Sequence, residues 1–222
     1  MEQLDIEFFE WGGKRDGAGR PRRLGRRNPE HHPRERHSRH HPVHVTMRAR
    51  DGLPPLREEV IAREVMKGIR EANASKKTRG SFRVVHFSVQ DDHVHMIIEA
   101  SDGVSLARGA QGLAIRLARR VNALLGIRGK FWGDRFHSHE LSSPREVRNV
   151  IVYVLMNAKK HGYRITGIDA LSSAPWFGRG FAPAFEPCAE APPTRESGTW
   201  LGSVGWRRHG LLRADERPRT LG

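Results

Sequence analysis

A chain of 222 residues can bury one substantial core with extensions and has little room for a second full domain. A formal net charge of +14 and a pI near 11.1 predict salt-sensitive attraction to polyanions, with nucleic acid the leading partner and a merely solvated basic surface the plainer reading. The single cysteine, Cys188, excludes an internal disulfide and a cysteine-rich zinc module, and it fits a reducing cytosol.

The chain opens "MEQLDIEFFEWGG", acidic where a signal peptide is basic, and no later apolar run approaches the roughly 20 residues that span a bilayer. The expectation is a soluble, cytoplasmic protein with no membrane partner. From Lys14 to His40 the sequence is rich in Arg, Gly, Pro and His and holds almost nothing from which to build a core, so residues 1–40 read as a basic, flexible, DNA-contacting arm. Within it "GRPRR", Gly19 to Arg23, resembles the Gly-Arg-Pro core of AT-hook peptides. Arg20, Arg22 and Arg23 can follow a narrow minor groove or, more generally, contact phosphates.

The compact region is expected over residues 41–163. Val43, Val45 and Met47 alternate with His44, Thr46 and Arg48 as in a strand with one buried face. Val60, Ile61, Val65, Met66 and Ile69 then recur at helical spacing. "FRVVHFSVQ" and "HVHMIIEA" are two β-rich runs separated by Asp91 and Asp92, which suits a tight hairpin. "SLARGAQGLAIRLARRVNALLG" is a second amphipathic helix displaying Arg116, Arg119 and Arg120, and "GKFWGDRFHSHELS" reads as a further strand. "SPREVRNVIVYVLMNAKKHG" is a third helix, with Ser143 as its cap and Pro144 in its first position. The order β-α-β-β-α-β-α predicts an α+β, ferredoxin-like fold: an antiparallel sheet with helices on one face, the other face left for a site, and a C-terminal core helix. Residues 164–222 show no periodicity and read as a loop-rich extension that wraps the domain.

Along "HVHMIIEA" successive side chains alternate, so Val94, Met96 and Ile98 face the helices while His93, His95, Ile97 and Glu99 face the other way. Two imidazoles two positions apart can present nitrogens to one divalent cation if other groups complete the shell. Alone the pair is weak, because a half-exposed sheet face commonly carries polar residues and His44, His86, His137 and His139 dilute the signal. The third helix supplies more. Val147, Val150, Ile151, Val154 and Ala158 form its apolar stripe, while Asn149, Tyr153, Asn157 and Lys160 share another face. An amide oxygen is a hard ligand that suits a metal beside imidazoles, although Asn157 could equally bind water or backbone, and Tyr153 could simply edge the core.

These motifs, "HPVHVT", "FRVVHFSVQDDHVHMIIEA", "GKFWGDRFHSHEL" and "YVLMNAKKHG", together resemble the HUH single-tyrosine transposases, especially the REP-associated tyrosine transposases, from about Pro42 to His161. The resemblance implies that His93 and His95 bind Mg²⁺ or Mn²⁺, that Asn157 completes the metal shell, and that Tyr153 is the nucleophile. It implies a DNA nickase and strand-transfer enzyme acting on single-stranded or hairpin DNA through a 5′-phosphotyrosine. Lys160 and Arg135 would favour phenolate character and, with Arg116, Arg119 and Arg120, contact DNA. The chain would work as a monomer or homodimer. Two other functions compete: a non-catalytic relative that only binds hairpin DNA, and an RNA-binding sheet of the RRM kind, which expects aromatic residues on the open sheet face.

Overall fold

The period of two in Val43, Val45 and Met47 makes strand β1, Val43–Arg48, with those three residues buried and His44, Thr46 and Arg48 on the opposite face. In the computed structural model, which describes residues 37–218 apart from 161, 164 and 166, β1 is followed by α1 (Glu59–Ala74), β2 (Phe82–Val89) and β3 (His93–Ala100). Helix α2 (Gly103–Leu125), strand β4 (His137–Glu140) and helix α3 (Pro144–Lys160) complete the core in the order read from sequence. The strands form one antiparallel sheet in the order β2, β3, β1, β4, the arrangement of a ferredoxin-like α+β fold. Among the described residues no helix is long and apolar enough to cross a membrane.

Strand β2 does not alternate cleanly in sequence, and a bulge explains why. Val84 pairs with Ile98 and His86 with Ile97, leaving Val85 as the extra residue. That insertion shifts the parity, so Phe82, Val84, Phe87 and Val89 all reach the core. Helices α1 and α2 cover this core through Ile61, Val65, Ile69, Leu113 and Leu117. Val60, read as part of the α1 stripe, is instead exposed. Asp102 caps α2 by accepting from the Ser105 amide at 2.7 Å, and Gly126 ends it at φ 64°. The fourth strand is shorter than its sequence suggests. Gly129, at φ 96°, and Gly133 break the pleat, so residues 129–136 form an irregular segment held to the end of β1 by bonds such as Gly133 N to Arg48 O at 2.9 Å.

The second sheet face, expected to be open, is partly covered by α3, which packs on Ile97 through its own apolar stripe. Ser143 caps α3 as read from sequence, accepting from the Glu146 amide at 3.3 Å. The C-terminal extension then covers the outer side of α3. Trp206 and Phe181 bury against a cluster that includes Val152, Leu155 and Met156. The extension contains short 3₁₀ turns, at Ala174–Trp176, Gly178–Gly180 and Gly205–His209, and one short helix, α4 (Trp200–Ser203). It is tied down at its start by the bidentate pair of Arg57 with Asp169, at 2.8 and 2.9 Å. At the other end of the core lies His37, whose ring nitrogens are 3.1 Å from Glu140 Oε2 and 3.0 Å from the Ala100 carbonyl.

Candidate active site

The site forms where α3 crosses the polar side of β1 and β3. Pairing sets His95 opposite Thr46, His93 opposite Arg48, and Ile97 opposite His44. Cross-strand partners share a face, so the two strands jointly present three imidazoles and a hydroxyl toward α3. The Nε2 atoms of His93 and His95 lie 2.9 Å apart. Their Nδ1 atoms point away: that of His93 lies 2.6 Å from Asp92 Oδ1, and that of His95 lies 3.0 Å from Thr46 Oγ1 and 3.2 Å from His44 Nε2. Burial, helped by the charges of His139 and His93, pushes the His44 pKa down to about 4. His44 is therefore neutral at ordinary pH and adds no positive charge. Burial raises the Asp92 pKa, but the hydrogen bond from His93 and the charges of His93 and Arg48 outweigh it, so the carboxyl stays below the ordinary aspartate range.

Helix α3 brings Tyr153 to the pair. Its ring lies edge-on to His95 at 5.0 Å and to His44 at 5.8 Å, with the Lys160 ammonium 4.9 Å from its centroid. Asn157, one turn further along the same helix face, is fully buried, and neither of its amide atoms has a hydrogen-bond partner among the described residues. A buried amide with nothing to bond is costly, and it marks a position suited to a ligand. Two converging imidazole nitrogens and an unspent amide oxygen fit a hard divalent cation whose remaining positions are filled by water or phosphate. Among the described residues no group of three or more His, Cys, Asp or Glu is placed to hold a metal, so the amide would have to serve as the third ligand. Tyr163, the other tyrosine, is engaged elsewhere. Its hydroxyl donates to Asp91 and Arg57 lies 4.7 Å above its ring, while burial and the Asp91 carboxylate push its pKa above the ordinary value.

A family model described as "Transposase IS200 like" matches residues 43–157, just over half of the chain. The chain belongs to this IS200-like transposase family. The matched span contains His93, His95, Tyr153 and Asn157, and the resemblance to single-tyrosine transposases drawn from its motifs is borne out. Among solved structures, that of a REP-associated tyrosine transposase bound to a REP hairpin is similar at 16% identity with a TM-score of 0.54, covering 77% of this chain and 96% of that one. At that identity the likeness establishes the shared fold. A putative transposase from Deinococcus radiodurans matches at 15% identity with a TM-score of 0.38, covering 52% of this chain and 87% of that one. No curated protein matches the chain in sequence.

The remaining positions singled out in this IS200-like chain are dispersed. Arg116 and Arg120 lie in the helical layer on the far side of the sheet from His95, where they pair with Glu71 and Glu64 of α1 at 2.6 to 3.0 Å. Arg119 is exposed on the same helix, and Arg135 is exposed in the segment before β4. Arg20, Arg22 and Arg23 lie outside the described residues. Glu99 shares a face with the histidines, but its carboxylate is spent on the C-terminal extension, accepting from Gly198 N at 2.7 Å and Thr199 Oγ1 at 2.8 Å. Sequence reasoning missed Asp92, Thr46 and His44 as partners of the pair. Alternation already put Thr46 and His44 on one face of β1, but only the strand register brings them to His95.

Proposed function

We propose that this chain cuts and rejoins single-stranded or hairpin DNA through Tyr153, with His93, His95 and Asn157 holding Mg²⁺ or Mn²⁺. The observation that supports this reading is the close approach of the His93 and His95 Nε2 atoms with the Tyr153 ring against His95. Asn157, buried one turn from Tyr153 on α3 with no amide hydrogen-bond partner among the described residues, is the proposed third ligand. When bound, a divalent cation would polarise the scissile phosphate and offset negative charge as the transition state forms.

Tyr153 Oη would attack phosphorus in line with the leaving O3′, forming a 5′-phosphotyrosine while the P–O3′ bond breaks. The phenol proton passes to solvent and O3′ departs as a hydroxyl. Attack of a 3′-hydroxyl on the phosphotyrosine reverses these bonds and completes strand transfer without ATP. Lys160, its ammonium 4.9 Å from the Tyr153 ring centroid, is a cation that the scissile phosphate would meet beside the nucleophile. Packing of α3 between sheet and extension holds the helix that carries Tyr153, as in-line attack would require of its nucleophile. The reading holds for a monomer or a homodimer. The hairpin bound by the similar REP-associated transposase supports a hairpin as this chain's substrate. An RNA-binding sheet is less well supported, because the polar face carries His44, Thr46, His93 and His95 where stacking aromatics would be needed.

The test is to incubate labelled hairpin DNA with protein and Mg²⁺, denature, and look for label on the protein. Wild type and Tyr163→Phe should carry it, whereas Tyr153→Phe and His95→Ala should show at least about a hundredfold less, given the share of a rate that nucleophiles and metal groups supply. Adduct in Tyr153→Phe at the wild-type level would remove Tyr153 as the nucleophile.

A further inference from the structure

Residues 197–214 of the extension contain no Asp or Glu but hold Arg207, Arg208, His209 and Arg213. Arg213 is paired with Asp215, whereas Arg207, Arg208 and His209 are exposed and make no ion pair among the described residues. Trp200 stands beside them. It is the one exposed aromatic side chain among the described residues, at 48%, while Trp206, six positions on, is fully buried in the cluster around α3. Val204, one turn after Trp200, is 54% exposed and extends the apolar surface. The indole is firmly seated: Gly205 packs so closely on its six-membered edge that a Cβ there would lie 2.7 Å from Cζ3, nearer than packed carbons come. Thr199 caps the short helix α4 by accepting from the Gly202 amide at 3.1 Å, and Thr199 is itself held by Glu99. The Arg208 guanidinium rests over the Trp200 ring, 4.8 Å from its centroid, so the ring offers a face on which a flat group already lies. Glu99 is four residues beyond His95 on the same face of β3, about 13 Å at strand spacing, so the segment it anchors shares the side of the sheet that carries the cleft.

We propose that Trp200, Arg207 and Arg208 form a second nucleic-acid contact, one that takes unpaired nucleotides flanking the hairpin. A seated, exposed indole beside arginines free of carboxylates is a combination that holds single strands: the ring stacks on a base of any identity, and the guanidinium groups meet phosphate. A base stacks on the Trp200 ring where Arg208 now lies, and the displaced guanidinium, with that of Arg207, pairs with the adjoining phosphates. A lipid surface asks for a longer apolar face than Trp200 and Val204 supply. The inference rests on the reading of the substrate as single-stranded or hairpin DNA and narrows it: the preferred substrate is a hairpin that carries a single-stranded flank. These residues select the substrate and take no part in its cleavage.

The test is binding of the full chain to two fluorescent DNA hairpins with the same stem, one blunt and one with an unpaired flank, followed by anisotropy in EDTA so that no metal is involved. Trp200→Ala should lose about tenfold in affinity for the flanked hairpin and nothing for the blunt one, while Trp200→Phe, whose smaller ring still stacks, keeps most of it. Abasic sites through the flank should weaken the wild type by a similar factor and leave Trp200→Ala unaffected. Because Trp200 packs on Gly205, a pair of surface variants gives an independent reading. Arg207→Ala combined with Arg208→Ala should lower the slope of log K against log salt by about 1.4 on the flanked hairpin alone, about 0.7 for each single-strand phosphate. Wild-type affinity of Trp200→Ala for the flanked hairpin overturns the proposal, as does an arginine variant whose slope changes equally on both hairpins. In either case labelled adduct on the wild type leaves the reading of Tyr153 standing. A tryptophan emission change on phosphatidylglycerol vesicles that is lost in Trp200→Phe, with none on flanked DNA, overturns it in favour of a lipid contact. A wild-type chain that binds neither hairpin overturns both this proposal and the DNA reading beneath it.

Discussion

Asn157 is the residue whose surroundings make least sense without a ligand. It is fully buried on α3, and neither amide atom finds a partner among the described residues. An unsatisfied buried polar group costs about 1–3 kcal/mol unless a water or a ligand meets it. Asn157→Leu keeps the number of side-chain atoms and removes the polar ones. Unfolding by urea in EDTA should show this variant more stable than wild type by about 1–3 kcal/mol, while its Mn²⁺ binding and DNA adduct are lost. Equal or lower stability in EDTA would mean that the amide is satisfied by water and pays no such penalty. The face shared by His93 and His95, and that shared by Tyr153 and Asn157, was legible in the sequence, since each follows from the period of one strand or one helix. Their partner Thr46 was not, because hydrogen bonding across strands depends on register, and register is set by pairs 45 or more residues apart in the chain. Asp92 is next to His93, but only the turn geometry aims its carboxylate at the ring.

Helix α3 is read correctly from its stripe of Val147, Val150, Ile151, Val154 and Ala158, yet Val152, Leu155 and Met156 are buried too. A helix apolar on more than one side needs cover on more than one side, and the C-terminal extension provides it. That cover was illegible because the extension has no regular period. Trp206 and Leu212 reach the core from a turn and an irregular segment, where spacing carries no information. Glu99 is the anchor. Its carboxylate accepts from Ser197 Oγ, from Thr199 Oγ1 at 2.8 Å, and from the Gly198 and Thr199 amides at 2.7 and 3.2 Å. Glu99→Gln puts an N–H₂ group among donors and should cost about 1–3 kcal/mol. Amide hydrogen exchange should quicken across residues 197–205 while β1 and β3 keep their protection. Unchanged exchange in the extension would show that burial of Trp206, not the carboxylate, holds this segment.

At the scale of the whole molecule the question is which of its positive charges meet DNA. The net charge of +14 is what remains of 39 Lys and Arg after 25 Asp and Glu, and some of the basic residues are spent within the fold: Arg116 and Arg120 face Glu64 and Glu71, and Arg57 faces Asp169. The α2 arginines also lie on the sheet face away from Tyr153, so phosphates engaged at the cleft are not within their reach by this geometry. The amino-terminal residues pose a separate question of charge. Residues 1–36 carry nine Lys or Arg against seven Asp or Glu, so removing them takes away little net charge. Salt dependence counts phosphates contacted, not net charge, with each contact contributing a slope of about 0.7 to 0.9 in log K against log salt. The two quantities therefore separate cleanly here. The described residues begin at His37, which is bonded to Glu140 and Ala100, so a cut after residue 36 keeps those contacts. If Arg20, Arg22 and Arg23 each neutralise a phosphate, this truncation should lower the slope for hairpin DNA by about 2 to 3 and weaken binding most at low salt. Adduct formation on a short hairpin at saturating concentration should survive, since His93, His95, Tyr153 and Asn157 all lie beyond the cut. A slope unchanged by truncation would assign the phosphate contacts to the folded core, with Lys160 and Arg135 the first to replace by alanine.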